Sequence, residues 1–157
     1  RRRKAIMVPK PPEPGKSAGP GPRPRQPQRV VTMKLHLDKS EQYNTITRYD
    51  AHHVQVGNTR HEHPLIVMPE RIDTGWHTGG FDTLDEAAFT HLAGLGCEIL
   101  ILGTGMRQRF PQPKLMRALI EARIGLEVMD LGSACRTYNI LVAEHRNVAA
   151  ALVFDPA

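Results

Sequence analysis

The sequence predicts an α/β fold, a single domain with a mixed sheet: a C-terminal β-α-β-α-β half preceded by a mostly β N-terminal half. Three observations predict it. The first is the run Ile99-Leu100-Ile101-Leu102, continuous rather than alternating and closed by Gly103 and Gly105. A strand covered on both faces reads this way, as in a parallel sheet. The second is that two amphipathic helical stretches then alternate with two further apolar runs, at 126–130 and 148–154. The third is the region 43–68, where short β-branched and aromatic segments are separated by turn residues.

Taken in order, the first 32 residues differ from the rest. They hold nine Lys/Arg against Glu13 alone, a net +8, and eight of the thirteen prolines. Such a segment cannot bury enough apolar surface to offset its ordering entropy, so 1–32 is expected to be a disordered Pro/Arg-rich tail, an extension ahead of a start at Met33. The remainder carries 12 basic and 15 acidic side chains, a net −3. A mildly acidic body without a basic stripe argues against a folded nucleic-acid-binding face, so contact with nucleic acid is expected only through the tail. No apolar run approaches the ~18 residues of a spanning helix, and nothing resembles a secretory signal, so no membrane insertion is expected. Cys97 and Cys135 are the only cysteines and form no CxxC pair; reduced thiols are expected, and no thiolate zinc site.

The domain proper is 33–157. KLHL (34–37) reads as a short strand, and 43–50 and 53–56 read as strands ahead of the Gly57-Asn58 turn, giving a meander or hairpin. Pro64 and Pro69 bracket a buried LIVM strand, and 71–81 reads as a loop. Thr83-x-x-Glu86 matches a capping box and opens a helix stopped at Gly94 or Gly96. After the central strand, Pro113 suits the first turn of a second helix with a buried stripe of Leu115, Met116, Leu119 and Ile120, ended by Gly125. LEVMD (126–130) is the next strand. A third helix over 133–144 buries Ala134, Tyr138, Leu141 and Val142, and 148–154 is the last strand. The succession implies parallel strands with right-handed crossovers.

Several chemistries are missing. Gly103-x-Gly105 begins a dinucleotide fingerprint, but position 108 is Gln, and no GxxxxGK[ST] occurs. Serine stands only at 17, 40 and 133, none in a nucleophile elbow. Cys135, beside Arg136 and near a helix start, is a nucleophile in principle, but no histidine is placed to act as its base; burial is expected instead. His52, His53, His61 and His63 cluster in the meander and are expected to be exposed strand residues rather than metal ligands. One locus stands out. Crevices at the carboxyl ends of parallel strands bind ligands, and Arg107 and Arg109 follow the glycines in the same loop. If the central strand and 126–130 are parallel, the Gly103–Gly105 loop and the start of the third helix meet on one sheet edge. Thr104, Arg136 (in the first turn of that helix), Thr137 and Asn139 would then converge with backbone N–H groups on an anion.

The second half, from Ile101-Leu102-Gly103-Thr104-Gly105 through Gly125-x-Glu127-x-Met129, Ala134, Thr137-Tyr138-Asn139 and Glu144-x-Arg146 to Val148-Ala149-Ala150, resembles a small family. It is the family that includes mitochondrial complex I assembly factor 3 and an adipogenesis-associated domain protein. The resemblance covers 33–154. It implies a single α/β domain, no established activity or cofactor, and a role in assembling a respiratory complex through protein contacts, in the cytoplasm or, in a eukaryote, the mitochondrion. The recurring positions it implies are Gly103, Thr104, Gly105, Thr137, Tyr138, Asn139, Glu144 and Arg146. The expected function is therefore a non-catalytic protein-interaction or assembly-factor-like module with no catalytic residue, metal or cofactor. The alternative is binding of a small anionic ligand, or an unidentified enzymatic activity, at Gly103, Thr104, Gly105, Arg136, Thr137, Tyr138, Asn139 and Glu144.

Overall fold

The continuous apolar run forms the middle of a five-stranded sheet. A computed structural model describes residues 42–156; the expected tail at 1–32 and the KLHL strand lie outside the described residues. Three short antiparallel strands come first: β1 (Ile46–Tyr49), β2 (Val54–Val56) and β3 (Thr59–His61), the last two joined at Gly57-Asn58. The expected meander is thus formed. β4 (Leu65–Val67) and β5 (Ile72–Asp73) follow, then α1 (Glu86–Ala93), β6 (Ile99–Gly103), α2 (Pro113–Glu121), β7 (Gly125–Met129), α3 (Leu131–Ala143) and β8 (Val148–Leu152). The main sheet runs β5-β4-β8-β6-β7. β6 is parallel to both β7 and β8, while β4 is antiparallel to β8 and to β5. The fold class is α/β with a mixed sheet, as expected.

The crossovers explain the layers. β6 to β7 moves one strand outward, and β7 to β8 returns past β6 to its other side. Opposite directions with the same right-handed sense place the two crossover helices on opposite faces. One core accordingly joins α3, the meander and one side of the sheet through Ile46, Val56, Ile101, Ala134, Tyr138 and Leu152. The other joins α1, α2 and the far side through Phe89, Leu92, Leu100, Leu102, Leu119 and Ala151. Alternate residues of β6 and β8 serve alternate faces, which is why neither strand alternates in hydropathy.

Four local expectations are corrected. The first helix starts at Glu86 with Asp85 as its cap, its carboxylate accepting from Ala88 N–H at 2.9 Å. Thr83 sits in a 3₁₀ turn, where its hydroxyl donates to Gly80 O at 2.9 Å, and it lies two residues ahead of the cap position. In α2, Leu119 is buried and Leu115 and Met116 are half-buried, but Ile120, one residue and ~100° further round, is 70% exposed. That helix stops at Glu121, and Gly125 belongs to β7 rather than to a helix end. The expected 71–81 loop contains the short edge strand β5.

Candidate functional site

The start of α3 is built by Asp130. Its carboxylate accepts from Ser133 N–H and from the Ser133 hydroxyl, both at 2.9 Å, and these donors hold its pKa below the usual carboxylate value. With Leu131 as the first helical residue, Arg136 falls in the second turn rather than the first, a correction that removes its conflict with the helix dipole. Its guanidinium reaches the Tyr49 hydroxyl at 2.5 Å and Ser133 Oγ at 3.3 Å.

The glycine loop does meet α3 at the carboxyl edge of the sheet: Leu131 N–H donates to Gly105 O at 2.7 Å. The contact there is close. A Cβ on Gly103 would stand 2.8 Å from Leu152 Cδ2 and 3.0 Å from Ala134 Cβ, and Gly105 holds a φ of +94°, which L side chains resist. Thr104 is buried, and its hydroxyl is spent inside its own loop, donating to Arg107 O at 2.6 Å and accepting from Arg109 N–H at 3.0 Å. Asp155 closes the neighbouring side by accepting from Met106 N–H at 3.0 Å.

The other expected site residues disperse. Tyr138 is buried; its hydroxyl donates to Asn44 O at 2.8 Å, and burial raises its pKa. Asn139 takes both backbone groups of Ile46, accepting from its N–H and donating to its carbonyl, each at 2.8 Å. Thr137 is half-buried. Glu144 caps the far end of α3, thirteen residues and ~20 Å from the helix start. Residues at the two ends of that helix cannot touch one small ligand. Cys135 is buried and its pKa is pushed up to about 12, which removes it as a nucleophile.

Arg136 and Asn139 instead line a cavity against the meander, together with Tyr49, Arg48, His53 and Arg60. His61, His63 and His77 line another with Glu62, while His53 Nδ1 lies 2.7 Å from Asp50 Oδ2. Among the described residues no group of three His, Cys, Asp or Glu is placed to hold a metal ion. Two further features went unread in the sequence. Met106 and Phe110, in the loop after Gly105, are 59% and 72% exposed; two apolar residues in a polar loop were the available signal. Arg48 and Arg60 carried none, because their placement depends on strand register.

A family model described as "Protein of unknown function (DUF498/DUF598)" matches residues 46–153. NADH dehydrogenase [ubiquinone] 1 alpha subcomplex assembly factor 3 of Xenopus tropicalis is 30% identical over 80% of this chain and 69% of its own length. The chain spans between about half and two thirds of further relatives of that name. A crystal structure of a Bordetella parapertussis protein is 36% identical over 72% of this chain and 97% of that one, with a TM-score of 0.67. A Bordetella pertussis protein solved by NMR and described as a Mth938-like domain is 30% identical, over 70% and 85%, with a TM-score of 0.63. The match across 46–153, together with these likenesses, makes the chain a member of the DUF498/DUF598 family.

Proposed function

We propose that this protein is a non-catalytic interaction module that assists assembly of a larger protein complex, in the manner of the assembly factors it resembles. One observation carries the reading beyond that likeness: Met106 and Phe110 project from a loop whose backbone is fixed from within by Thr104 and Asp155. Large apolar side chains on a braced backbone have only their side-chain freedom left to lose on binding, which suits anchors in a protein interface. Arg109 adds to the bracing. It lies 3.3 Å from Asp82 and 6.0 Å above the Phe81 ring. Both thiols are buried, so neither is presented as a nucleophile. The likeness to the assembly factors supports the cytoplasm, or the mitochondrion in a eukaryote, as the place of action. Among the described residues no helix is long and apolar enough to cross a membrane.

The test is quantitative affinity capture from the native host with the full chain and a Met106→Glu/Phe110→Glu variant. Subunits of an NADH:ubiquinone oxidoreductase are expected to enrich with the natural chain and to fall more than about tenfold with the variant. The thermal melt of the variant should be unchanged, since both side chains are exposed. Absence of such subunits, or enrichment indifferent to the two substitutions, would refute the reading.

A further inference from the structure

Between β1 and the second turn of α3 lies a cavity of about 580 Å³ whose lining includes Arg48, Arg60, Arg136, Asp50 and His53. Its volume falls within the ~300–1,000 Å³ of small-molecule sites. Three guanidinium groups face one carboxylate, and that carboxylate is already engaged. Asp50 accepts from the backbone N–H groups of His52 and His53 at 2.8 and 3.0 Å and lies beside the His53 ring. Arg136 is held by two neutral oxygens, and among the described residues no carboxylate lies within ion-pair distance of it; Asp130, which accepts from the same Ser133 hydroxyl, feels its charge from further off. Arg48 has no hydrogen-bond or ion-pair partner among the described residues. Arg60 meets only the exposed Glu62, at 2.9 Å, a pair of the kind that contributes little.

The backbone aims these groups. A bulge in β1 shifts the register between Ile46, which pairs with Val56, and Arg48, which pairs with Gln55. Without the extra residue Arg48 would share the core-facing side of Val54 and Val56. With it, Arg48 joins the outer row, where Gln55 in turn pairs with Arg60. The two arginines thus flank a neutral residue, two strands and about 10 Å apart, so both side chains can reach one anion. Tyr49, on the other side of β1, brings in Arg136. It lies against α3 where Gly132 has no side chain; a Cβ there would stand 3.0 Å from the Tyr49 ring and 3.2 Å from Arg136 Nη1.

Three guanidinium groups around one cavity, only one of them with a carboxylate within ion-pair distance among the described residues, leave a local excess of positive charge that favours an anion, and planar guanidinium forks match phosphate oxygens two at a time. The volume exceeds that of a single phosphate group. We propose that this cavity binds a phosphate-bearing small molecule, its phosphate held by Arg48 and Arg60 and its remainder lying toward Arg136 across the edge of β1.

The experiment titrates the full chain with inorganic pyrophosphate and, separately, with phenyl phosphate, at fixed ionic strength, followed by amide NMR. Saturable shifts confined to residues 46–60 and 132–139 are expected for at least one probe. Arg48→Gln should weaken binding roughly tenfold and Arg136→Gln similarly, while Arg117→Gln on α2 should leave it unchanged. Arg136→Gln also removes a contact to Tyr49; Arg48 is exposed and makes no such contact, so its variant decides the matter if the other loosens the fold. Shifts that are absent, that rise linearly without saturation, or that ignore Arg48→Gln would overturn the proposal. So would binding of an acidic phosphopeptide with both small phosphates silent, which would make the cavity part of a protein interface.

Discussion

Thr104 shows what a single buried hydroxyl does here. It satisfies the carbonyl of Arg107 and the N–H of Arg109 together, so the loop bearing Met106 and Phe110 is set by a side chain that never reaches the surface. Thr104→Val keeps the volume but leaves the Arg109 N–H without its acceptor, a loss of about 1–3 kcal/mol. Urea unfolding should show that destabilisation, with faster amide exchange at Arg109, while Thr104→Ser should stay closer to the natural chain. A valine variant of unchanged stability would mean the hydroxyl does not brace the loop. The sequence marked this spot for the right reason in part. Gly103 and Gly105 announce a tight strand exit, but nothing local says that Leu152 and Ala134 crowd the first glycine or that the threonine between them turns inward. Those are consequences of β8 and α3 arriving from elsewhere in the chain.

Asn139 works at the level of the element. By pairing with both the N–H and the carbonyl of Ile46, its amide substitutes for a neighbouring strand along the free edge of β1 and attaches the meander to α3. Asn139→Ala removes both bonds and should cost about 1–3 kcal/mol. Hydrogen exchange should accelerate across β1 and β2 more than in β6 and β8; uniform acceleration across the whole sheet would contradict this attachment. Element existence was largely readable because helix and strand periodicities are local. Element ends were less so. The capping box at Thr83 did not form because 81–83 closes a 3₁₀ turn and the helix begins only at Glu86, where Asp85 caps it. The bulge in β1 left no trace in composition, so the outward aim of Arg48 could not be read from alternation.

At the scale of the molecule, strand order was the least legible feature. Alternating strands and helices imply parallel neighbours, but that β8 lies between β4 and β6 depends on α3 crossing over β6, a long-range choice no short stretch encodes. The consequence is a sheet whose central strands belong to two cores at once: Ile101, Ala150 and Leu152 to the α3 side, Leu100, Leu102, Ala149 and Ala151 to the α1 and α2 side. Neither face can open without exposing the backs of strands that the other face needs, so the two should unfold as one. The chain supplies its own reporters. Trp76, the sole tryptophan, is buried on the α1 and α2 side, and Cys135 is buried on the α3 side. In a Cys97→Ala variant, Trp76 fluorescence and Cys135 thiol accessibility should give coincident urea midpoints. Midpoints separated by more than about 0.5 M would show two faces that come apart independently, and the shared strands would then not couple them.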